Sequence, residues 1–203
     1  ITASFLIIGC GSQAPEDGAL VSVKKIPEIT VNDYIYRLGE VTIKWTAFKH
    51  SAKAQVGGKF KSADVKGFTE STNLSTAISG VTFKIPVAST STNDEVRDYK
   101  IVNSFFNTMV DTDSISGRIL SIDENGSGKL VINMNGQEVE KQYKWEMDQT
   151  SKEIYLKTSI DVLNWGAQSS LDALNEVCLE QHTGPDGKNV LWPNVDITVI
   201  VDL

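Results

Sequence analysis

The sequence predicts a mainly antiparallel β protein of about eight strands, interrupted by two short α-helices. Apolar and polar residues alternate over most of the chain, turn signals such as Asn-Gly separate the alternating segments, and only two segments space apolar residues as a helix does. A chain of 203 residues is long enough for one domain with a substantial core. Strands of this kind form a closed barrel or a sandwich.

The strand prediction is clearest in EVEKQYKWEM, residues 138–147. One face consists of Val139, Lys141, Tyr143, Trp145 and Met147, and the other of Glu138, Glu140, Gln142, Lys144 and Glu146. The other alternating segments are EVTIKWTAF, VTFKIPV, IYLKTSIDV and VDITVIV, and shorter strands fit ISGRILSI and KLVINM. The Asn135-Gly136 step and the segment DENGSG predict hairpin turns. The apolar faces supply material for a packed core and equally for an apolar cavity.

Two segments favour helices. EVRDYKIVNSFF, residues 95–106, ends in Phe105 and Phe106, and AQSSLDALNEVCLEQH, residues 167–182, lies between glycines. A barrel of about eight strands has a narrow lumen with two open ends. We therefore expect the first helix to lie across one end, with both phenylalanine rings turned toward the lumen.

Composition narrows the class of function. The net charge of −7 argues against a duplex nucleic-acid partner, because phosphate binding needs clustered Lys and Arg. The chain has two His and two Cys, and it shows neither a catalytic triad nor a metal-binding motif, so we expect no enzyme, cofactor or metal site. Cys178 and His182 have the spacing of a nucleophile pair, but no third group orients them, and Cys178 is expected to be a small buried residue.

The first ten residues, ITASFLIIGC, form a separate apolar segment. It is shorter than the ~20 residues that a bilayer-spanning helix needs and is typical of the end of a secretory signal peptide, at residues 1–9. The ending IIGC resembles a bacterial lipobox, which predicts cleavage before Cys10 and lipidation of its sulfur. Residues 10–28 would then be a flexible tether and residues 29–203 the folded domain. The alternative is a hydrophobic first strand with an incidental cysteine.

The run VTFKIPVASTSTNDEVRDYKIVNSFF, residues 81–106, resembles the YceI-like family of polyisoprenoid-binding, lipocalin-like barrels. The matching features are a Ser/Thr-rich turn, the Arg97-Asp98 pair and the paired phenylalanines. FKHSAKAQVGGKF looks like the first hairpin of that family, and GKLVINMNGQEVEKQYKWEM is similar to one of its strand-turn-strand units. The resemblance covers about residues 30–203.

The chain departs from the family pattern near the predicted mouth of the barrel. Ser91 and Asn93 replace an Asp and a Gly of the usual turn, and Lys100 stands where a His is often found. The segment MVDTDSISGRI replaces a strand that normally contains proline. These departures change the polar positions near the mouth.

The resemblance implies a lipocalin-like antiparallel barrel whose apolar cavity holds a polyisoprenoid, a quinone-like molecule or another long-chain lipid. The residues expected to line the cavity or its mouth are Trp45, His50, Phe60, Phe83, Arg97, Asp98, Phe105, Phe106, Trp145 and Trp165. Arg97 could meet a polar head group, or it could fix a loop while Asp98 stabilises the start of the helix. His50 could line the cavity or be an ordinary hydrogen-bonded residue.

The predicted function is a non-enzymatic, membrane-anchored lipoprotein that faces the periplasm and binds a long-chain lipid. The first alternative is an envelope domain without a ligand, with a structural or protein-interaction role. The second is an enzyme that acts on an isoprenoid or quinone substrate.

Overall fold

A computed structural model describes residues 34–111 and 113–203. Ten antiparallel strands form one curled sheet. The strands are β1 (Val41–Lys49), β2 (Ala54–Phe60), β3 (Asp64–Lys66), β4 (Thr82–Pro86), β5 (Thr90–Ser91), β6 (Ser114–Asp123), β7 (Ser127–Met134), β8 (Gln137–Met147), β9 (Glu153–Asp161) and β10 (Leu191–Asp202). The α-helices are α1 (Leu74–Ile78), α2 (Glu95–Lys100), α3 (Gln168–Val177) and α4 (Leu179–His182).

The two edges of the sheet meet. β2 and β3 are consecutive in the chain, as are β4 and β5, and β3 pairs with β4 while β2 pairs with β5. Between these pairs the backbone N–H of Lys61 donates to the carbonyl of Ser89 at 2.9 Å. Each consecutive pair thus acts as one interrupted strand, and the ten strands occupy eight positions around a barrel. The prediction of an antiparallel barrel is confirmed.

Strand register decides which side chains point inward. β1 pairs with β10 so that Trp45 lies opposite Ile197 and Ala47 opposite Val195. Because side chains alternate between the two faces of a strand, all odd-numbered residues of β1 and β10 face the same side of the sheet. A slip of one residue would turn both apolar sets outward, so burial of this face fixes the register.

Helical segments cover one end of the barrel. Asp94 caps the N-terminus of α2, and its carboxylate accepts a hydrogen bond from the Arg97 backbone N–H at 3.0 Å. The chain continues as a π-helical turn (Ile101–Phe105) and a 3-10 turn (Phe106–Thr108), and α3 packs beside them. The hydroxyl of Thr108 donates to that of Ser170 in α3 at 2.8 Å.

The helices are more numerous and more broken than the sequence predicts. The second predicted helix is interrupted at Cys178, which gives α3 and α4. α1 has only five residues, too few to leave a helical period in the sequence. None of the helices in the two described ranges has the length and hydropathy needed to cross a membrane.

Candidate functional site

The barrel contains an elongated apolar cavity of about 410 Å³, and all ten strands contribute side chains to its wall. This volume lies in the range of roughly 300–1,000 Å³ that is usual for small-molecule sites. The wall from β10 consists of alternate residues from Leu191 to Val201 together with Trp192. The cavity is therefore built by the same alternation that sets the register of the sheet.

The cavity runs along the barrel axis. β1 lines it from Val41 to Lys49, which are eight residue steps and therefore roughly 26 Å of strand at ~3.3 Å per residue. A strand tilt of roughly 40° reduces this to about 20 Å along the axis. The space is long and narrow, and its shape fits an extended chain better than a compact ligand.

The two ends of the cavity differ in chemistry. One end is apolar and is lined by Leu38, Ile78, Val81 and Leu203. The other lies below α2, α3 and α4. Its polar side chains, called the polar end below, are Lys49, Asp94, Arg97, Lys100, Gln181 and His182.

The cations of the polar end have protein partners. The ammonium of Lys49 donates to the carbonyl of Gln181 at 2.8 Å, and that of Lys100 donates to the carbonyl of Val177 at 2.9 Å. These carbonyls lie at the C-terminal ends of α4 and α3, where unpaired carbonyl groups attract cations. The guanidinium of Arg97 lies 3.3 Å from the carboxylate of Asp94.

His182 is the buried titratable group of this end and is 8% exposed. Burial lowers the pKa of its imidazole from the ordinary 6.5 to about 4, and the nearby positive charges of Lys49 and Lys100 act in the same direction. The ring is therefore neutral at pH 7. Its Nδ1 lies 2.8 Å from the Oδ1 of Asn175, and among the described residues no hydrogen bond joins the ring to the buried thiol of Cys178.

The structure brings six of the ten side chains expected at the cavity into its wall. They are Trp45, Phe60, Phe83, Arg97, Phe105 and Phe106. Phe106 is 6% exposed, and Phe105 packs against the same apolar cluster. Cys10, the expected lipidation site, lies outside the described residues.

His50 and Asp98 are not among the residues that line the cavity, and their predicted place at its mouth stays a prediction. His50 follows β1 with a φ of 63°, and its Nε2 lies 3.0 Å from the carbonyl of Gln181. The carboxylate of Asp98 accepts hydrogen bonds from the backbone N–H of Thr92 at 2.7 Å and from its hydroxyl at 2.6 Å. Asp98 is held by Thr92, which is not a lining residue, and His50 lies against Gln181 beside the polar end.

Trp145 and Trp165 also lie outside the lining, although both face apolar surroundings. The indole N–H of Trp145 donates to the carbonyls of Asp123 and Ser127 at 2.9 and 3.1 Å. That of Trp165, a fully buried residue, donates to the carbonyl of Ile132 at 3.1 Å. A buried indole needs an acceptor, and backbone carbonyls of the barrel wall supply it.

Five lining residues of the polar end were not predicted from the sequence: Lys49, Asp94, Lys100, Gln181 and His182. Lys49 continues the alternation of β1, so its inward position could have been found. Lys100 lies three residues after Arg97 and therefore on the same side of α2. No sequence signal distinguishes His182, because its partners are brought to it by folding.

No family model and no curated protein matches the sequence. Among solved structures, a polyisoprenoid binding domain from Saccharophagus degradans, implicated in plant cell wall breakdown, has a TM-score of 0.56 at 11% identity and covers 79% of this chain and 91% of that one. Burkholderia cenocepacia BcnA has a TM-score of 0.53 at 10% identity and covers 79% of this chain and 94% of its own.

A Campylobacter jejuni YceI protein gives a TM-score of 0.50 at 14% identity, covering 77% of this chain and 88% of that chain. At these identities the likeness concerns the fold. It agrees with the closed antiparallel barrel and with the resemblance found in the sequence. The described domain therefore has the fold of the YceI-like family.

Proposed function

We propose that this protein binds one long apolar chain, such as a polyisoprenoid, a quinone-like molecule or another long-chain lipid, inside the barrel. The observation that carries the proposal is the cavity itself: it is long and narrow, its wall is almost wholly apolar, and four of its five charged lining residues lie at one end. A chain with a polar head would place its tail along the wall and its head at the polar end.

Energetics favour a long chain over a short one. Each buried methylene contributes about 0.8 kcal/mol, whereas association costs on the order of 4–15 kcal/mol in lost freedom. About a dozen buried methylenes, or roughly 10 kcal/mol, are needed before binding exceeds a cost in the middle of that range. A cavity about 20 Å long has room for a chain of this size.

The Saccharophagus degradans domain, which shares the fold, is described as polyisoprenoid binding. That description supports a lipid ligand for this chain, as does the continuous apolar wall. The proposed role is that of a binding protein and not of an enzyme.

The ligand is tested by extracting the purified protein with organic solvent and identifying the released molecules by mass spectrometry. Ala47→Phe would place a ring inside the lumen, opposite Val195, and is expected to reduce the lipid recovered per folded molecule. Thr46→Phe is the matched control, because Thr46 directly precedes Ala47 on β1 and is not a lining residue.

Equal amounts of lipid recovered per folded molecule from the two variants would contradict a ligand in the cavity. A protein that carries no lipid and binds no long-chain probe would favour the alternative of a structural or protein-interaction domain.

We further propose that the protein is a lipoprotein anchored through Cys10 and facing the periplasm. The support is the segment FLIIGC and the small, polar stretch that follows it. Expressed in a bacterium with a complete signal peptide, the protein is expected to partition into detergent and to carry acyl mass. A Cys10→Ser variant that remains equally membrane-bound would refute the anchor.

A further inference from the structure

The proton of His182 can be located from a chain of hydrogen bonds. The side-chain N–H of Asn189 donates to the carbonyl of Leu179 at 3.0 Å, and a backbone carbonyl can only accept. The Oδ1 of Asn189 is therefore free to accept from the amide of Asn175. That bond orients Asn175 so that its Oδ1 accepts from the Nδ1–H of His182 at 2.8 Å.

The other ring nitrogen of His182 is consequently an acceptor. A neutral imidazole with its proton on Nδ1 carries a lone pair on Nε2. Within the described residues no side chain or backbone group hydrogen-bonds Nε2, and no buried side-chain nitrogen or oxygen lacks a partner. If Nε2 were inaccessible, it would be a buried atom without a partner, and the described residues contain none. Nε2 is therefore accessible to solvent-sized molecules, and His182 lines the cavity.

This acceptor differs from the cations around it. Lys49 and Lys100 donate to helix C-terminal carbonyls, and Arg97 lies against Asp94. An acceptor at the polar end of an apolar cavity favours a ligand whose head donates a hydrogen bond, because a donor left unpaired there would lose its bonds to water. A positively charged amine would satisfy it but would be repelled by the three cations.

We infer that Nε2 of His182 accepts a hydrogen bond from a hydroxyl at the head of the bound chain, so that the site selects long-chain or polyprenyl alcohols. This inference rests on the proposed function, since it assigns the head group of the ligand that the cavity holds. An ether or ester of the same chain offers no donor. The alcohol is bound without a change in protonation of the ring.

The test compares hexadecan-1-ol with its methyl ether as competitors of a fluorescent apolar probe, N-phenyl-1-naphthylamine. The wild type is expected to bind the alcohol roughly five-fold more tightly, which corresponds to one net hydrogen bond. His182→Phe removes the acceptor and should bind both equally, whereas His182→Gln retains a side-chain oxygen and should recover part of the preference. Equal binding by the wild type, or a preference that survives in His182→Phe, would overturn the inference.

A second measurement does not depend on the folding of those variants. The chain has two histidines, so His50→Asn leaves His182 as its single imidazole, and asparagine tolerates the positive φ at that turn. In ¹⁵N-histidine-labelled protein we expect the Nδ1–H tautomer, and a shift of the Nε2 resonance on adding the alcohol but not the ether. The Nε2–H tautomer, or an unchanged Nε2 resonance with bound alcohol, would refute the assignment.

The outcomes also separate this inference from the proposed function. If the wild type binds neither the probe nor hexadecan-1-ol, the latter measured by extraction and mass spectrometry, both fail. If the probe enters and the alcohol and ether compete equally, only the head-group assignment fails. Tighter binding of hexadecanoate than of the alcohol would assign the head group to the cations and overturn the inference.

Discussion

Phe105 and Phe106 are consecutive residues whose rings meet edge to face, with centroids 5.1 Å apart and planes inclined at 74°, and both rings line the cavity. In a regular α-helix consecutive side chains point about 100° apart. Here the π-helical turn ends at Phe105, whose φ and ψ of −102° and −63° depart from α-helical values, and a 3-10 turn begins at Phe106. The change of winding lets both rings face the same lumen.

Removing either ring should weaken binding as well as folding. Phe106 is 6% exposed, and we expect Phe106→Ala to lower the free energy of unfolding by about 3–5 kcal/mol; Phe105→Ala should cost less because that ring is only partly buried. Each variant should also bind the apolar probe less tightly at temperatures where it is folded. Denaturant unfolding and fluorescence titration measure the two effects.

Tyr99→Ala is the control for this pair. Tyr99 lies in α2 and is 69% exposed, so its removal should change stability by no more than about 0.5 kcal/mol and leave probe binding unchanged. Normal probe binding by both phenylalanine variants would show that the rings only stabilise the fold.

The indole of Trp45 occupies the space that a side chain at position 58 would fill if that residue were not glycine. A Cβ at residue 58 would lie 2.2 Å from the indole ring of Trp45, whereas one at Gly57 would meet only the Trp45 carbonyl oxygen at 3.9 Å. We expect Gly58→Ala to destabilise the protein by roughly 1–3 kcal/mol through overpacking and to displace the indole within the cavity. Gly57→Ala should be neutral or stabilising by up to ~1 kcal/mol.

These two glycines are adjacent in β2, so their backbone surroundings are alike. They differ in the atoms that an added Cβ would meet. Chemical denaturation and the tryptophan emission maximum are the measurements. Equal stability of the two alanine variants would mean that Trp45 moves aside without cost.

The barrel wall could be predicted from the sequence because alternation directly reports which face of a strand is covered. Val41 to Lys49 illustrates this: the odd residues form one stripe, and that stripe lines the cavity. Closure of the barrel could not be predicted in the same way. The strand that closes it is interrupted after Pro86 by a 3-10 turn and resumes for only two residues at Thr90 and Ser91, which are polar and too few to show a period.

The cavity lining was harder to predict than the wall because alternation gives the face of a residue and not its depth. Trp145 lies on the expected face, but its indole N–H binds two backbone carbonyls and keeps the ring away from the lumen. His182 shows the opposite case. Its role depends on Asn175 and Asn189, which a loop and a helix bring together.

Arg97 and Asp98 are neighbours with different expected roles. The side chain of Arg97 lines the cavity and pairs with Asp94, but both are nearly half exposed, so Arg97→Ala should change stability by no more than about 1 kcal/mol. We expect it to speed release of the bound probe, because the long side chain covers part of the polar end. Stopped-flow displacement measures that rate.

Asp98→Ala should lower the stability of the protein and leave the rate of probe release unchanged. It removes two acceptor contacts to Thr92 and leaves that backbone N–H unpaired, which should cost about 1–3 kcal/mol while the release rate holds. A fall in melting temperature for Arg97→Ala with unchanged probe release would remove Arg97 from the binding site.

His182 should make the protein less stable in mild acid. Its pKa is about 4 in the folded protein and about 6.5 as an ordinary histidine, so the unfolded chain takes up a proton first as the pH falls. The stability that its neutral form contributes is therefore complete above pH ~6.5 and is lost as the pH falls through 4.

Other acidic groups titrate in part of this range, so the difference in stability between the wild type and His182→Gln isolates the effect of the histidine. The stability of the wild type relative to that variant should decrease steadily from pH 6.5 to 4 in denaturant titrations. A difference that stays constant, or that increases in acid, would show that His182 is not held neutral in the folded barrel.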